Sequence, residues 1–382
     1  MTQNTKSYQI CTKTVIDSNL PDVSFDGHGI SSVYWDFEKN VKPNWFPNEE
    51  GKRQLRVYVE EIKKHSKGKD FDCILGLSGG VDSSYMLHTM VKEYGLRPLV
   101  FHVDGGWNTE MAVSNIHNLV DKLNLDLFTE VINWNEMKDF QLAWFKSGVP
   151  HIDIPQDHAF GAVLYKFSNK HKIKYILNGG NIATECVIMP YLYYYWGTDL
   201  VHIRDIIKRF GTIPMKTYPF SSVYNHKIYQ KFIKGMKVMK PLNFMPYTKK
   251  MAVDILEKEY GWKSYGQKHF ESRFTRFYEG YWLTTRFNFD VRRNQLSSLI
   301  LTGQMQREEA LEILKNPPFN PETIQEDFDF IATKLGISSD ELNHYLNMEK
   351  RFYWDYKNDH RKLKIIEKIV EFLHLGRRGG AF

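Results

Sequence analysis

A chain of 382 residues with 42% hydrophobic and 25% charged residues can bury a full core, and this composition excludes a disordered or collagen-like protein. The net charge of +6 (51 Lys and Arg against 45 Asp and Glu) is scattered along the chain, so it suits small polyanions such as nucleotides as well as RNA and selects neither. Three widely spaced cysteines, Cys11, Cys73 and Cys186, exclude a disulfide framework, and neither the polar start nor the short apolar run at 187–196 reads as a signal peptide or a membrane span; a cytoplasmic enzyme is expected.

In chain order, an irregular N-terminal segment leads to a helix near 50–65. An alternation of strands and helices follows. Strands are predicted at 71–77, 97–103, 126–132 and 174–177, and helices at 81–94, 109–123, 135–146 and 156–172. Strands separated by helices at this spacing mean βαβ units, hence an α/β fold with a parallel, doubly wound sheet. Residues 187–245 are aromatic and broken by prolines, and from about 248 the chain reads as helical. The expected division is an N-terminal segment over 1–70, a nucleotide-binding α/β domain over 71–245 and a helical region over 246–382.

The chemistry-bearing segment is Ser78-Gly79-Gly80-Val81-Asp82-Ser83-Ser84, placed where the first predicted strand ends and its helix begins. Two glycines let backbone N–H groups approach a phosphate chain, and the helix adds free donors and the positive end of its dipole. Ser78, Ser83 and Ser84 add hydroxyls. A Gly-Lys-Ser/Thr ending is missing, so γ-phosphate transfer is not the natural reading. The segment resembles the SGGxDS loop of PP-loop ATP pyrophosphatases (adenine nucleotide alpha hydrolase-like), which cleave ATP to AMP and pyrophosphate. The resemblance implies ATP and Mg²⁺, with Asp82 as a metal carboxylate and Glu185 as a second. His102, Asp104 and Gly105, after the second strand, and Asn178, Gly179, Gly180 and Asn181, after the last, belong at the same sheet edge and complete the expected ATP site.

Other stretches are more specific. Asp22-Val23-Ser24-Phe25-Asp26, His102-Val103-Asp104-Gly105-Gly106-Trp107-Asn108, Asp153-Ile154-Pro155-Gln156-Asp157-His158, Gly266-Gln267-Lys268-His269-Phe270-Glu271-Ser272 and Arg292-Arg293 resemble, in this order, the N-acetyl sugar amidotransferase family. Its members convert an acetamido group on a sugar nucleotide into an acetamidino group for bacterial surface glycans such as O-antigen lipopolysaccharide. The resemblance implies a sugar nucleotide as substrate. Lys268 and Arg273 are the expected charge stabilisers, and Asp157 and His158 a pair that orients the sugar or moves a proton. Trp107, His269, Glu271, Arg292 and Arg293 are further substrate contacts, although each of these side chains also has an ordinary structural reading.

No glutaminase nucleophile is apparent in the sequence. The resemblance implies a separate glutaminase subunit and an ammonia-channelling barrel subunit resembling the histidine-biosynthesis pair. Many family members carry two Cys-x-x-Cys pairs near the N-terminus; here the corresponding positions are Cys11, Thr14, Ser31 and Tyr34, a set that cannot form a tetrahedral Cys₄ site, so no structural zinc is expected. The competing readings are a tRNA-modifying PP-loop enzyme, of the thiolase or lysidine synthetase type, and a non-catalytic nucleotide-binding regulator.

Overall fold

The computed structural model describes residues 8–265 and 270–372. After the N-terminal segment, helix α1 (Glu49–Ser66) opens on Asn48, whose side chain accepts the Gly51 N–H, and carries Glu49 and Glu50 in its first turn and Lys63, Lys64 and His65 in its last. Both features favour the helix, by capping an orphan donor and by opposing the helix dipole.

The sheet contains β1 (Cys73–Gly76), β2 (Pro98–Asp104), β3 (Leu127–Val131), β4 (Tyr175–Leu177) and β5 (Lys237–Met239), in the order β3-β2-β1-β4-β5. Every pairing is parallel, with Leu75 opposite Val100 on one side and Leu177 on the other. Side chains alternate between two cores. Cys73, Leu75 and Leu77 pack on one face against α1, α2 (Val81–Lys92), α3 (Glu110–Lys122) and the later helix α7 (Lys249–Tyr260). Ile74, Leu99, Phe101 and Ile176 pack on the other against α4 (Trp134–Ser147), α5 (Ile154–Lys170) and α6 (Leu200–Phe210). Apolar strands covered on both sides are what the sequence predicts for a doubly wound sheet.

The last strand differs from expectation. The segment 187–245, read as aromatic and broken by prolines, contains α6 and the edge strand β5, whose three residues Lys237, Val238 and Met239 are too few for a periodic signal. Beyond α7 the chain is helical, as predicted: Arg292–Leu301, Ile324–Leu335 and Ser339–Asn347 are the longer described pieces before His360–Phe372. A third core joins the N-terminal segment to these helices through Cys11, Ile16 and Phe37 packed with Trp282, Leu283 and Phe328. Among the described residues, no helix is long and apolar enough to cross a membrane.

Candidate active site

The strand order reverses between β1, whose helix leads to β2, and β4, added on the other side. The loops after these two strands therefore face each other across the crevice where open α/β sheets bind ligands. Gly79 follows β1 with φ +86°, a left-handed backbone that a Cβ disfavours. Its carbonyl accepts the Trp262 Nε1–H (3.2 Å) and the Tyr265 hydroxyl (3.0 Å), so the chain near α7 pins the loop from outside. Gly80 is the N-cap of α2 and has no side chain with which to cap it, leaving the first-turn N–H groups open to an anion. Ser78 Oγ accepts the Gly80 N–H (3.2 Å) and lies 3.3 Å from Ser83 Oγ, which contacts the Gly80 carbonyl at 3.2 Å. At Gly179 an added Cβ would sit 3.2 Å from the Ser83 N and Cα, so the β4 loop rests directly on the start of α2.

These loops enclose a cavity of ≈ 200 Å³ lined by Ser78, Gly80, Val81, Asp82, Ser83, Asn178, Gly179, Gly180 and Glu185, with Lys249 and Glu271 at its margins. Asp82 Oδ1 accepts the Tyr247 hydroxyl, and Thr184 Oγ1 lies 3.4 Å from Oδ2. Burial first, then the Asp82 charge, push the Tyr247 phenol well above its ordinary value, so it stays protonated and donates. Asn178 Oδ1 accepts the Gly180 N–H at 2.7 Å. A Cβ at Gly180 would lie 3.3 Å from Glu185 Oε2 and 3.5 Å from Lys240 Nζ, which brings a cation beside Glu185. Burial lowers the Lys240 ammonium and Glu185 opposes that shift.

The donor set fits Mg²⁺. Asp82 and Glu185 supply hard carboxylate oxygens on the rim of one cavity. No cluster of three His, Cys, Asp or Glu among the described residues forms a ready-made cage, and Mg²⁺ bound through one or two carboxylates plus phosphate oxygens does not require one.

A second cavity of ≈ 350 Å³ adjoins the first across Ser78, Phe160 and Glu271. His102, Gly105 and Asn108 line it from the end of β2, and His151, Asp153, Gln156 and Asp157 from the start of α5. His102 Nδ1 donates to the Leu77 carbonyl (2.8 Å), leaving Nε2 to accept from Asn108 (2.9 Å), and burial lowers the ring's pKa.

Several expected residues have partners of their own within the chain. His158 is buried next to Asp157 in sequence but not paired with it: Nδ1 donates to the Gly197 carbonyl (2.7 Å) and Nε2 accepts the Ser221 N–H (3.0 Å), with burial lowering the ring to about 4. Adjacent helix positions point apart, and Asp157 instead meets His151 Nε2 at 3.3 Å. Arg273 is held by Asp327 (2.9 Å) and stacked 3.6 Å from the centre of Phe330. Arg292 grips Asp290 and the Asn316 carbonyl, and Arg293 pairs with Asp17 (3.0 Å) and the Val15 carbonyl; neither lines the two cavities. Trp107 is buried, donating to Gln141 (2.8 Å), and offers no stacking face to a ligand.

Ser84 faces the core rather than the loop's cavity. Asn181 caps Thr184 (2.9 Å), and Asp104 accepts the Gly106 N–H (2.8 Å), so both shape loops. Glu271 reaches the phosphate loop itself: a Cβ at Gly80 would lie 2.9 Å from its Oε1. Lys268 and His269 lie outside the described residues. Tyr247, Trp262, Tyr265, Lys240 and Lys249 were not anticipated; they lie roughly 160–190 positions after the loop, beyond the reach of any local motif.

The five-stranded parallel sheet, with Ser-Gly-Gly-Val-Asp-Ser at its reversal point, is a doubly wound α/β fold whose loop resembles the PP-loop pattern in sequence. Residues 271–370 match the family described as "LPS biosynthesis protein WbpG-like, C-terminal domain". Among solved structures, the chain is similar to the NMN synthetase from Francisella tularensis (13% identity, TM-score 0.29, covering 56% of this chain and 92% of that one). It is also similar to the NH3-dependent NAD synthetase from Campylobacter jejuni (17% identity, TM-score 0.28, covering 55% and 83%). Both likenesses are too distant to carry function. No curated protein matches significantly.

Proposed function

We propose that the chain is an ATP-dependent, AMP-forming amidotransferase that converts the acetamido group of a sugar nucleotide into an acetamidino group. One observation carries the reading: the uncapped phosphate loop, with Asp82 and Glu185 on its cavity, adjoins a second polar cavity large enough for a reacting group. The match of residues 271–370 to lipopolysaccharide-biosynthesis proteins supports a sugar-linked acceptor.

An amide carbon is a poor electrophile because resonance gives its C–N bond a rotation barrier of ~18–20 kcal/mol. Transfer of AMP to the acetamido oxygen turns it into a leaving group. The loop N–H groups and the Ser78 and Ser83 hydroxyls hold the departing pyrophosphate. Bound Mg²⁺, carried by Asp82 and Glu185, would offset phosphate charge. Tyr247 fixes the Asp82 carboxylate, while Lys249 adds positive charge on the cavity lining and Lys240 beside Glu185. Ammonia, delivered by separate glutaminase and barrel subunits, then displaces AMP.

The test is pyrophosphate release by the purified chain with ammonium and a panel of UDP-N-acetyl sugars, against tRNA. Sugar-dependent release, with a product mass showing oxygen exchanged for NH, is expected. Release only with tRNA, or with no acceptor at all, overturns the proposal.

A further inference from the structure

Asp153, Asp157, Glu271 and Glu279 line the second cavity, and among the described residues no Lys or Arg does. The Asp153 and Asp157 carboxylates on this lining disfavour a diphosphate or a sugar carboxylate and attract a small cation. A second feature points to a ligand. His151, 5% exposed, lines the same cavity, and its Nδ1 finds no hydrogen-bond partner among the described residues. Its ring packs against Tyr194 (4.7 Å between centres) and Tyr278 (5.9 Å), so it cannot swing away readily. Asp153 is buried and held in place by Thr275 Oγ1 (2.7 Å) and the Gln156 amide. Asp157 links His151 to solvent, its side chain 61% exposed.

We propose that this cavity captures ammonium, and that Asp153 is the catalytic base that removes its proton to give the attacking ammonia. The assignment rests on the amidine-forming reading above and names the nitrogen side of that site. An ammonium N–H proton passes to the Asp153 carboxylate, its bonding pair stays on nitrogen, and the proton is then released to solvent. The nitrogen pair then forms the C–N bond to the activated carbon. The C–O bond to AMP breaks with its electrons on the AMP oxygen. One proton of the added nitrogen moves to the sugar nitrogen, leaving an amidinium, a cation that the same carboxylates stabilise.

Burial, followed by the Asp157 charge, pushes the Asp153 carboxyl up to about 8; Thr275 and Gln156 oppose this and Glu279 adds to it. His102, His151, Tyr194, Glu271 and Tyr278 are the other titratable groups on the described lining of this cavity. A carboxylate so raised is well matched to taking a proton near neutral pH.

The experiment compares wild type, Asp153→Asn and Asp157→Asn as full chains, with ammonium chloride as nitrogen source. It measures KM for ammonium, the pH profile, and sugar-dependent ATP–pyrophosphate exchange without ammonium. Asp153→Asn is expected to lower ammonium-dependent turnover by roughly 100-fold and to remove the inflection near pH 8, leaving exchange intact. Asp157→Asn, changed at an exposed position that folding tolerates, is expected to raise the ammonium KM and shift the profile. Unchanged ammonium KM and pH profile in both variants overturn the assignment, as does an equal loss of exchange and turnover. Absence of sugar-dependent exchange in the wild type overturns the amidine reading instead, and this assignment with it.

Discussion

Gly79→Ala tests whether the phosphate loop depends on its backbone geometry and its anchors. Gly79 (φ +86°) and Gly68 (φ +79°) share a left-handed backbone but differ in surroundings. A Cβ at Gly68 meets nothing within 4 Å, whereas one at Gly79 would lie 3.1 Å from the Ala112 carbonyl and 3.3 Å from the Tyr265 hydroxyl. Gly68→Ala therefore isolates the conformational cost, about 1–2 kcal/mol. Gly79→Ala carries the same cost and also displaces the Tyr265 hydroxyl from the Gly79 carbonyl, a bond contributing about 1 kcal/mol. The expected total is roughly 2–3 kcal/mol. Denaturant titration of both variants gives the difference directly, and pyrophosphate release gives the KM for ATP. Only Gly79→Ala should raise that KM. If Gly79→Ala costs no more than Gly68→Ala and leaves the KM for ATP unchanged, the loop is not held as described.

Arg273→Ala should lose about 1–2 kcal/mol of stability, from its Asp327 pair and Phe330 stack, with no change in KM for either substrate; a selective loss of turnover would restore it to the active site. Burial lowers His158 to about 4 and His202 and His226 to about 3, so all three are neutral in the folded chain at pH 5 while the unfolded chain protonates them below about 6.5. Their contribution is present above that value and is lost as the pH falls toward 4, at up to about 1.4 kcal/mol per pH unit for each ring; denaturation midpoints that stay flat from pH 7 to 5 would contradict this. Near the N-terminus, Cys11 Sγ accepts the Ser31 N–H (3.3 Å) and Lys13 N–H (3.4 Å). The triple substitution Thr14→Cys, Ser31→Cys and Tyr34→Cys is expected to bind one zinc per chain by metal analysis, and no bound zinc would show that these positions do not converge.

The sheet was legible because its evidence is local. Buried parallel strands such as 73–76 and 98–101 are continuous apolar runs, and the helices between them carry their apolar faces at a 3.6-residue period. Strand β5 escaped because three residues carry no period and its place is fixed only by pairing with β4. The phosphate loop was legible for a related reason: its glycines, serines and aspartate answer one local requirement. Isolated polar residues behaved differently. Arg273, Arg292, Arg293 and His158 have the chemistry of ligand-binding groups, and each also satisfies a carboxylate or backbone group within the chain. A single sequence cannot distinguish these uses, since the partner that decides between them is often far along the chain, as Asp327 is from Arg273 or Asp17 from Arg293.

That division has a mechanistic consequence. The loop 78–84 is held by groups it does not contain: Trp262 and Tyr265 grip the Gly79 carbonyl, Tyr247 holds Asp82, and Glu271 lies against Gly80. All four follow the sheet in sequence, and Glu271 begins the stretch that matches the lipopolysaccharide-biosynthesis proteins. The same stretch supplies Thr275, which holds Asp153 in the second cavity. Segment 271–273 also pairs with 107–109, through Thr109 N to Glu271 O (3.0 Å) and Arg273 N to Trp107 O (3.0 Å). A movement of this segment would therefore be felt at the phosphate loop and the acidic cavity together. On the proposed reading, an acceptor that orders the segment would complete both cavities in one event, which would favour ATP cleavage only when the group to be activated is in place.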